Sequence, residues 1–466
     1  MSLAVDRNVV FWFRRDLRLA DHPALVAAIE AASGSGGRVL PLFVLDDRLT
    51  ATSGANRVAL RNACLRALRR DGLPLVVRHG DVASTITSTA SEVGAHSVFC
   101  TADFAPYGRA RDQSVEAALA ATGRRFVTID SPYAVAPGTV RKKDDTPYKV
   151  FTPYSRGWAE ALGSTALLDP VDAAAVDWLA ASGVGIPVDP SGVAPSLPVA
   201  GERAAEARLS TFLDTHLHAY GRLRNDPGAD ATSRLSPDLK FGTLHPRQIL
   251  NLLPEGGTGT AKYRSEVCWR EFYADVLWHR PDSARHAFVD GMGAMTVDEG
   301  TRADEVFAAW CAGRTGYPFI DAGMLQLVAE GWMHNRVRMA TASFLVKDLH
   351  LDWRRGARWF MHHLIDGDIA SNQHGWQWTA GTGTDAAPYF RVFNPVSQGT
   401  KFDPDGTYVR RYVPELAVLS DAEIHEPWKA GGGGMFGGVD GYPPPIVDHS
   451  VEREEALRRY AAVRGR

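Results

Sequence analysis

The 466-residue sequence predicts an α/β domain built on a doubly wound parallel sheet, then a long linker, then an all-helical domain. Three observations lead there. Short apolar runs alternate with helical periodicity from about residue 7 to 130, Pro, Gly, Ala and Asp crowd residues 131–201, and helical spacing dominates from 202 onward. Strands that alternate with helices pair in parallel, because each crossover helix returns the chain to the same end of the sheet.

The expected strands are VVFWF (from Val9), VLPLFVL (from Val39), LPLVV (from Leu73), SVFC (from Ser97) and FVTI (from Phe126). Each is a short, largely apolar run, the pattern of a buried strand. Between them, Asn56–Arg69 and Arg109–Ala121 show helical spacing. No GxGxxG follows the first strand, so a dinucleotide site of the Rossmann type is not supported. APG, DDTP and PVDPSGVAPSLP punctuate the connector, which is expected to drape over a surface with one or two short helices. Beyond it, Glu202–Leu217, Lys262–His279, Ala303–Ala312, Phe319–Glu330, Arg336–Leu349 and Arg354–Ile365 are the clearest helices. The tail carries GGGG (from Gly431), PPP (from Pro443) and a short charged helix. The boundaries read as 1–130, 131–201 and 202–466.

With 45% hydrophobic and 23% charged residues, a large core is expected and disorder is not. A net charge of −3 excludes adhesion to nucleic acid by bulk positive charge, so any DNA site must be a local patch. Cys64, Cys100, Cys268 and Cys311 lie far apart without a CxxC pair, which offers neither a zinc site nor a disulfide framework and suits a reducing compartment. The N-terminus lacks the basic and apolar regions of a signal peptide, and no apolar run reaches bilayer length. A soluble, cytoplasmic protein is expected. Most of the twelve tryptophans fall after residue 150, many beside charged or amide residues. Core packing is the usual reason for any single Trp, but such clustered placement is harder to explain by packing alone and admits a planar ligand or base-stacking surface.

Five segments carry more specific information: TSRLSPDLKFG (from Thr232), EVCWREFY (from Glu266), GRTGYPFIDAGM (from Gly313), GWMHNRVRMATASFLVKDLHLDWRRG (from Gly331) and DGDIASNQHGWQWTAGTGTDAAPYFRVFNP (from Asp366). Together with WFRRDLRLADHPAL (from Trp12) they resemble the photolyase and cryptochrome family, in the right order over nearly the whole chain. The resemblance is nearest to photolyases of cyclobutane pyrimidine dimers. It implies FAD bound in a bent conformation by the helical domain, and light-driven electron transfer from reduced FAD to a flipped-out dimer. Photolyases are among the known base-flipping enzymes.

Taken alone, the hydroxyls and Arg234 of the Thr232–Ser236 stretch fit either a helix cap or a phosphate cradle. The resemblance assigns Thr232, Ser233, Arg234, Leu235 and Ser236, with Tyr220, to the FAD diphosphate. Asp366 and Asp368 offer too few oxygens for a divalent ion. By resemblance both lie at the flavin, Asp366 paired with Arg338 so that the charge of the ring is biased. Tyr263, Arg270 and Gly367 join the flavin contacts. Asn372 matches the position facing the reactive nitrogen of the central ring, where plant cryptochromes place Asp and animal ones Cys. A neutral amide can hydrogen-bond that nitrogen without readily supplying a proton.

The resemblance builds the lesion pocket from Glu266, Trp269, Asn335, Met339 and Trp378. The two tryptophans are walls, Met339 a soft filler, and Glu266 and Asn335 partners for the base edges. Photolyases of the (6-4) photoproduct carry histidines at the positions of Asn335 and Met339, so cyclobutane dimers are expected here. Arg336, Lys347, Arg354, Arg355 and Arg358, then Arg391, Lys401, Arg410 and Arg411, supply candidate basic rim residues. By resemblance Arg224 and Arg336 lie near the phosphates, with Arg270 also on the DNA side.

Trp376 and Trp353 match the first two members of the family's three-tryptophan electron chain. The segment MGAMTVDEGTRADEV lacks the third. Trp310, Tyr317 or Trp332 substitutes, or photoreduction is slower. Tyr107-Gly108 stands where folate-using enzymes tend to carry Asn-Glu, which resembles a deazaflavin-type antenna pattern; an empty antenna site is the other option. Ultraviolet-damaged DNA is the expected partner of a monomer with no obligate protein partner. The rival is a cryptochrome that signals without repair, expected to lack the Glu266, Trp269, Asn335 and Met339 set. A flavin oxidoreductase unrelated to DNA would need a nicotinamide site, and none is found.

Overall fold

The computed structural model describes residues 7–163, 166–384, 390–430 and 438–464. They fall into two compact units. The first comprises Met1–Val193, Pro198–Thr215 and Ser233–Pro281, and the second Ala194–Leu197, His216–Thr232 and Asp282–Arg466.

In the first unit the apolar runs form β1 (Asn8–Phe13), β2 (Val39–Leu45), β3 (Val76–His79), β4 (Ala95–Cys100) and β5 (Arg125–Thr128). All pair in parallel, in the order β3-β2-β1-β4-β5. Val9 lies opposite Val39, and Phe11 opposite Phe99. The crossovers carry α1 (Pro23–Gly34), α2 (Ala55–Arg70), α3 (Val82–Glu92) and α4 (Pro106–Ala120). Helices on both faces explain why β1 and β2 bury nearly every residue. The doubly wound sheet expected from the sequence is therefore present.

One strand is shifted. LPLVV begins in a turn, with Leu75 N donating to Leu73 O (2.7 Å), and the ladder starts only at Val76. Pro74 has no N–H to give a neighbouring strand. The Ser- and Thr-rich VASTITSTASE carries little apolar spacing to mark α3; the Asp81 carboxylate caps the helix by accepting from Ser84 N (3.1 Å).

The connector is irregular apart from α5 (Phe151–Ala161). It runs along the sheet, where Leu179 N donates to Val39 O (2.8 Å) and Val184 N to Val77 O (2.7 Å). Beyond it the first unit also contains α6 (Ser236–Phe241) and the long α7 (Thr258–His279). Two buried carboxylates of α7 anchor the connector. Glu271 accepts from Ala134 N, Val135 N and Trp158 Nε1 at 2.6–2.9 Å, and Asp275 from Gly138 N at 2.7 Å. After α6, Gly242 adopts φ +66, and a Cβ there would fall 2.1 Å from Arg15 O. Only glycine lets the TSRLSPDLKFG turn close onto the Arg15–Leu17 loop, where Leu17 N donates to Phe241 O (3.0 Å).

The second unit is helical: α8 (Thr301–Cys311), α9 (Pro318–Glu330), α10 (Asn335–Lys347), α11 (Trp353–His363), α12 (Ile369–Ala380) and the terminal α13 (His449–Arg464), with shorter pieces between. Their core gathers Trp310, Phe319, Met324, Phe344, Phe360, Trp376 and Tyr408. The expected helices in this stretch are present with ends moved by a few residues. The GGGG from Gly431 and residues 385–389 of the last motif lie outside the described residues. Among the described residues no helix is long and apolar enough to cross a membrane, and no group of three or more His, Cys, Asp or Glu could hold a metal ion.

Candidate functional site

Within the first unit, α7 carries Tyr263, Glu266 and Arg270 at helical spacing, so they share one face, with Trp269 beside them. Tyr263 is buried and donates to Ser233 Oγ (2.8 Å), which also accepts from Leu235 N (3.4 Å). Arg234 between them has φ +50, so Ser233–Leu235 makes a tight turn into α6, whose first residue is Ser236. Burial, above all, pushes the Tyr263 phenol up. Trp269 is half-buried and stacks on Phe151, centroids 3.7 Å apart and planes within 6°. Glu266 is half-buried too. Arg270 donates to Pro132 O (3.2 Å) and Leu239 O (3.0 Å) and lies over the Tyr133 ring (4.6 Å).

Within the second unit, His334 caps α10 by accepting from Arg336 N (3.2 Å), which fixes the start of the helix. Asn335 is exposed, with its Nδ2 4.0 Å from Met339 Sδ one turn later. Arg336 donates to Asn225 Oδ1 (2.8 Å) and lies over Phe402 (4.4 Å). Burial and then the like charge of Arg224 lower its pKa. Two guanidiniums close enough to feel each other's charge favour an anion nearby. Tyr220 is buried, in the short helix Tyr220–Leu223 that leads to Arg224.

Arg338 grips Asp366 with both terminal nitrogens (3.3 and 2.8 Å), its Nε held by Met333 O (2.7 Å). After Gly367, Asp368 caps α12 by accepting from Ala370 N (3.0 Å) and Ser371 N (3.2 Å). One turn into α12, Asn372 donates to Ala357 O (3.1 Å) and Gln373 Oε1 (2.8 Å). Trp378 is half-buried, while Trp376 is 2% exposed and rests on Gly356, where a Cβ would sit 2.1 Å from its ring.

The indole of Trp376 touches Phe360 (5.0 Å) and Trp310 (6.2 Å), and Trp310 in turn stacks near Phe307 (5.9 Å). Among the described residues no ring contact joins Trp353 to Trp376. Of the expected electron-transfer set, the structure thus brings Trp376 and Trp310 together and leaves Trp353 at the start of α11. Tyr317 packs instead on Phe344 and Trp428.

The rim arginines diverge. Arg354 and Arg355 engage Asp352 and Asp304, and Arg410 engages Asp421, whereas Lys347 is buried, donates to Arg391 O and is lowered to about 7 by burial. At the start of α4 Tyr107 donates to Asp46 (2.5 Å), and a Cβ on Gly108 would meet the Asp103 carboxylate at 2.2 Å. Four supporting residues escaped the sequence reading: Phe151, Asn225, His334 and Gln373. Phe151 and Asn225 lie more than 100 residues from the side chains they support, so no local pattern reveals them.

Residues 9–174 match the family model described as DNA photolyase, and residues 263–462 the one described as FAD binding domain of DNA photolyase. A deoxyribodipyrimidine photo-lyase of Streptomyces griseus is 41% identical, over 98% of this chain and 99% of that protein. The chain belongs to the DNA photolyase family. As a photolyase-family enzyme it also superposes on solved members. The crystal structure of a bacterial class III photolyase from Agrobacterium tumefaciens has a TM-score of 0.89 and 35% identity, covering 100% of this chain and 99% of that one. A cryptochrome of Synechocystis sp. PCC6803 has a TM-score of 0.83 and 26% identity, covering 97% and 98%.

The C-terminal region is accordingly a FAD-binding domain, and its residues fit that cofactor. The Thr232 hydroxyl is buried without a hydrogen-bond partner among the described residues, a donor suited to a phosphate oxygen. Trp376 Nε1 is likewise buried, without a hydrogen-bond partner among the described residues. Buried polar groups normally find partners, and FAD brings both donors and acceptors.

Proposed function

We propose that the protein splits cyclobutane pyrimidine dimers in DNA in blue light, with FAD held by Tyr220, Thr232, Ser233, Arg234, Leu235, Ser236, Tyr263, Arg270, Arg338, Asp366, Gly367, Asp368 and Asn372. When bound, the reduced flavin supplies the excited electron that opens the dimer and regains it afterwards, so no net redox change results. The observation that carries this reading is the start of α10, where an exposed amide, Asn335, sits over a thioether, Met339, in place of two histidines. An amide and a soft apolar filler suit neutral pyrimidine carbonyls and a saturated ring.

The side chains then act by position. Trp269, already flat against Phe151, and Trp378 wall the dimer at little ordering cost. Glu266 and Asn335 hydrogen-bond the base edges, and Arg224 with Arg336 takes a flanking phosphate. Trp376 passes electrons to the flavin, and its ring contact favours Trp310 over Trp353 as the next carrier. The Arg338–Asp366 pair holds the guanidinium in place, so that its positive charge biases the ring toward the anionic reduced form.

The same proposal keeps the functional division at 1–130 for an antenna domain, 131–201 for the linker and 202–466 for the catalytic domain. A deazaflavin-type antenna is favoured over folate, since Tyr107-Gly108 stands where folate-using enzymes tend to carry Asn-Glu. The protein is proposed to act as a cytoplasmic monomer. The test is incubation of reduced protein with ultraviolet-damaged oligonucleotide, in light and in dark. Restored thymines in light alone are the expected result. A flavoprotein that photoreduces but restores none would be a cryptochrome-like sensor instead.

A further inference from the structure

We propose that Gln373, a residue outside the flavin and lesion sets above, is the positioning residue that decides which atom of Asn372 the flavin meets. The inference rests on the assignment of Asn372 to the flavin's reactive nitrogen. An asparagine can offer that nitrogen either its carbonyl oxygen or its NH2 group, with opposite effects.

The surrounding hydrogen bonds decide between them. Ala284 O can only accept, so Gln373 turns its Nε2 toward it (2.7 Å). That leaves Gln373 Oε1 to accept from Asn372 Nδ2 (2.8 Å). Ala357 O can only accept as well, and takes the second Nδ2 proton (3.1 Å). With both amide protons committed, Asn372 Oδ1 is the atom left over, and it has no partner among the described residues.

The lock starts from backbone. Ala284 lies in a segment pinned to α12 by Gln377, which donates to Ser283 O (2.6 Å) and His286 O (3.1 Å) and accepts from Phe288 N (2.7 Å). An oxygen acceptor stabilises a ring nitrogen that carries hydrogen and repels one that presents a bare lone pair. Gln373 therefore biases the site toward reduced flavin, through Asn372 and without contact.

Gln373→Leu removes both bonds at nearly constant size, and Gln373→Met replaces it if the leucine variant does not fold. The holoprotein is reduced anaerobically, exposed to air, and followed by flavin absorbance, with flavin content and melting temperature checked alongside. Losing one neutral hydrogen bond is expected to speed reoxidation about three- to tenfold. Asn372→Ala should speed it at least as much, and the double variant no further, because Gln373 acts only through Asn372. Reoxidation unchanged by Gln373→Leu but faster in Asn372→Ala overturns the proposal, as does full additivity. No change in either variant overturns the assignment of Asn372 itself.

Discussion

Replacing Trp376 by phenylalanine should separate electron supply from repair. The indole is 2% exposed, and its Nε1 has no hydrogen-bond partner among the described residues, so the substitution breaks no polar contact within the chain. What is lost is packing: three heavy atoms and part of the edge contacts to Phe360 and Trp310. At about 0.8 kcal/mol per buried carbon the cost is about 2 kcal/mol, with a small cavity added. A domain with about 5–15 kcal/mol in hand stays folded. The assay has two arms. Illumination of the oxidised holoprotein with an external thiol should give photoreduction slowed more than tenfold, while dithionite-reduced variant should repair damaged oligonucleotide at close to the parent rate. Unchanged photoreduction would refute the relay through Trp376. Loss of repair in the reduced variant would show that the indole serves the lesion or the fold instead.

Other substitutions test neighbouring parts of the site. Trp310→Phe should slow photoreduction more than Trp353→Phe, because only Trp310 touches Trp376; the same illumination assay ranks them. Arg338→Met strands a nearly buried Asp366, and with Arg338 itself a quarter exposed the cost should be about 1–3 kcal/mol, read as a lower flavin-to-protein ratio and an earlier denaturant midpoint. Arg336→Ala should weaken binding to damaged DNA and reduce the slope of log affinity against log salt by about 1, checked by titration at several salt concentrations. Burial, first of all, holds the His374 imidazole down at about 4, against about 6.5 in the unfolded chain. As pH falls below about 6.5 the unfolded chain takes up a proton that the folded one refuses, so stability is lost progressively toward pH 4, by about 3 kcal/mol in all. His374→Gln should flatten that part of the stability–pH curve in urea titrations at pH 7 and 4.5.

The sheet was legible because strands covered on both faces must be apolar throughout, and β1, β2 and β4 announce themselves that way. LPLVV misled at its first residues, since hydrophobicity does not reveal that Pro74 withholds a ladder donor. The least legible element is α12, which carries Asn372, Trp376 and Trp378. Its buried side includes Gln373, His374 and Gln377, satisfied by the backbone and Ser283 of the 283–288 segment rather than by an apolar layer. A helix whose inner face is polar shows no hydrophobic period. The supports of the site were hidden for a related reason. The Phe151 ring that holds Trp269 flat and the Asn225 amide that holds Arg336 are visible only in the folded chain. Motif resemblance named the side chains that would meet ligands; tertiary structure was needed for what holds them still.

Selectivity between lesions tests the central claim most directly. Reduced holoprotein is given equal amounts of an oligonucleotide with one cyclobutane thymine dimer and one with a (6-4) photoproduct, and both are counted under blue light and in darkness. Light-dependent loss of the dimer, with the (6-4) product untouched, is the outcome that the Asn335–Met339 start of α10 requires. Conversion of the (6-4) product, or a dimer that persists under illumination, would contradict it.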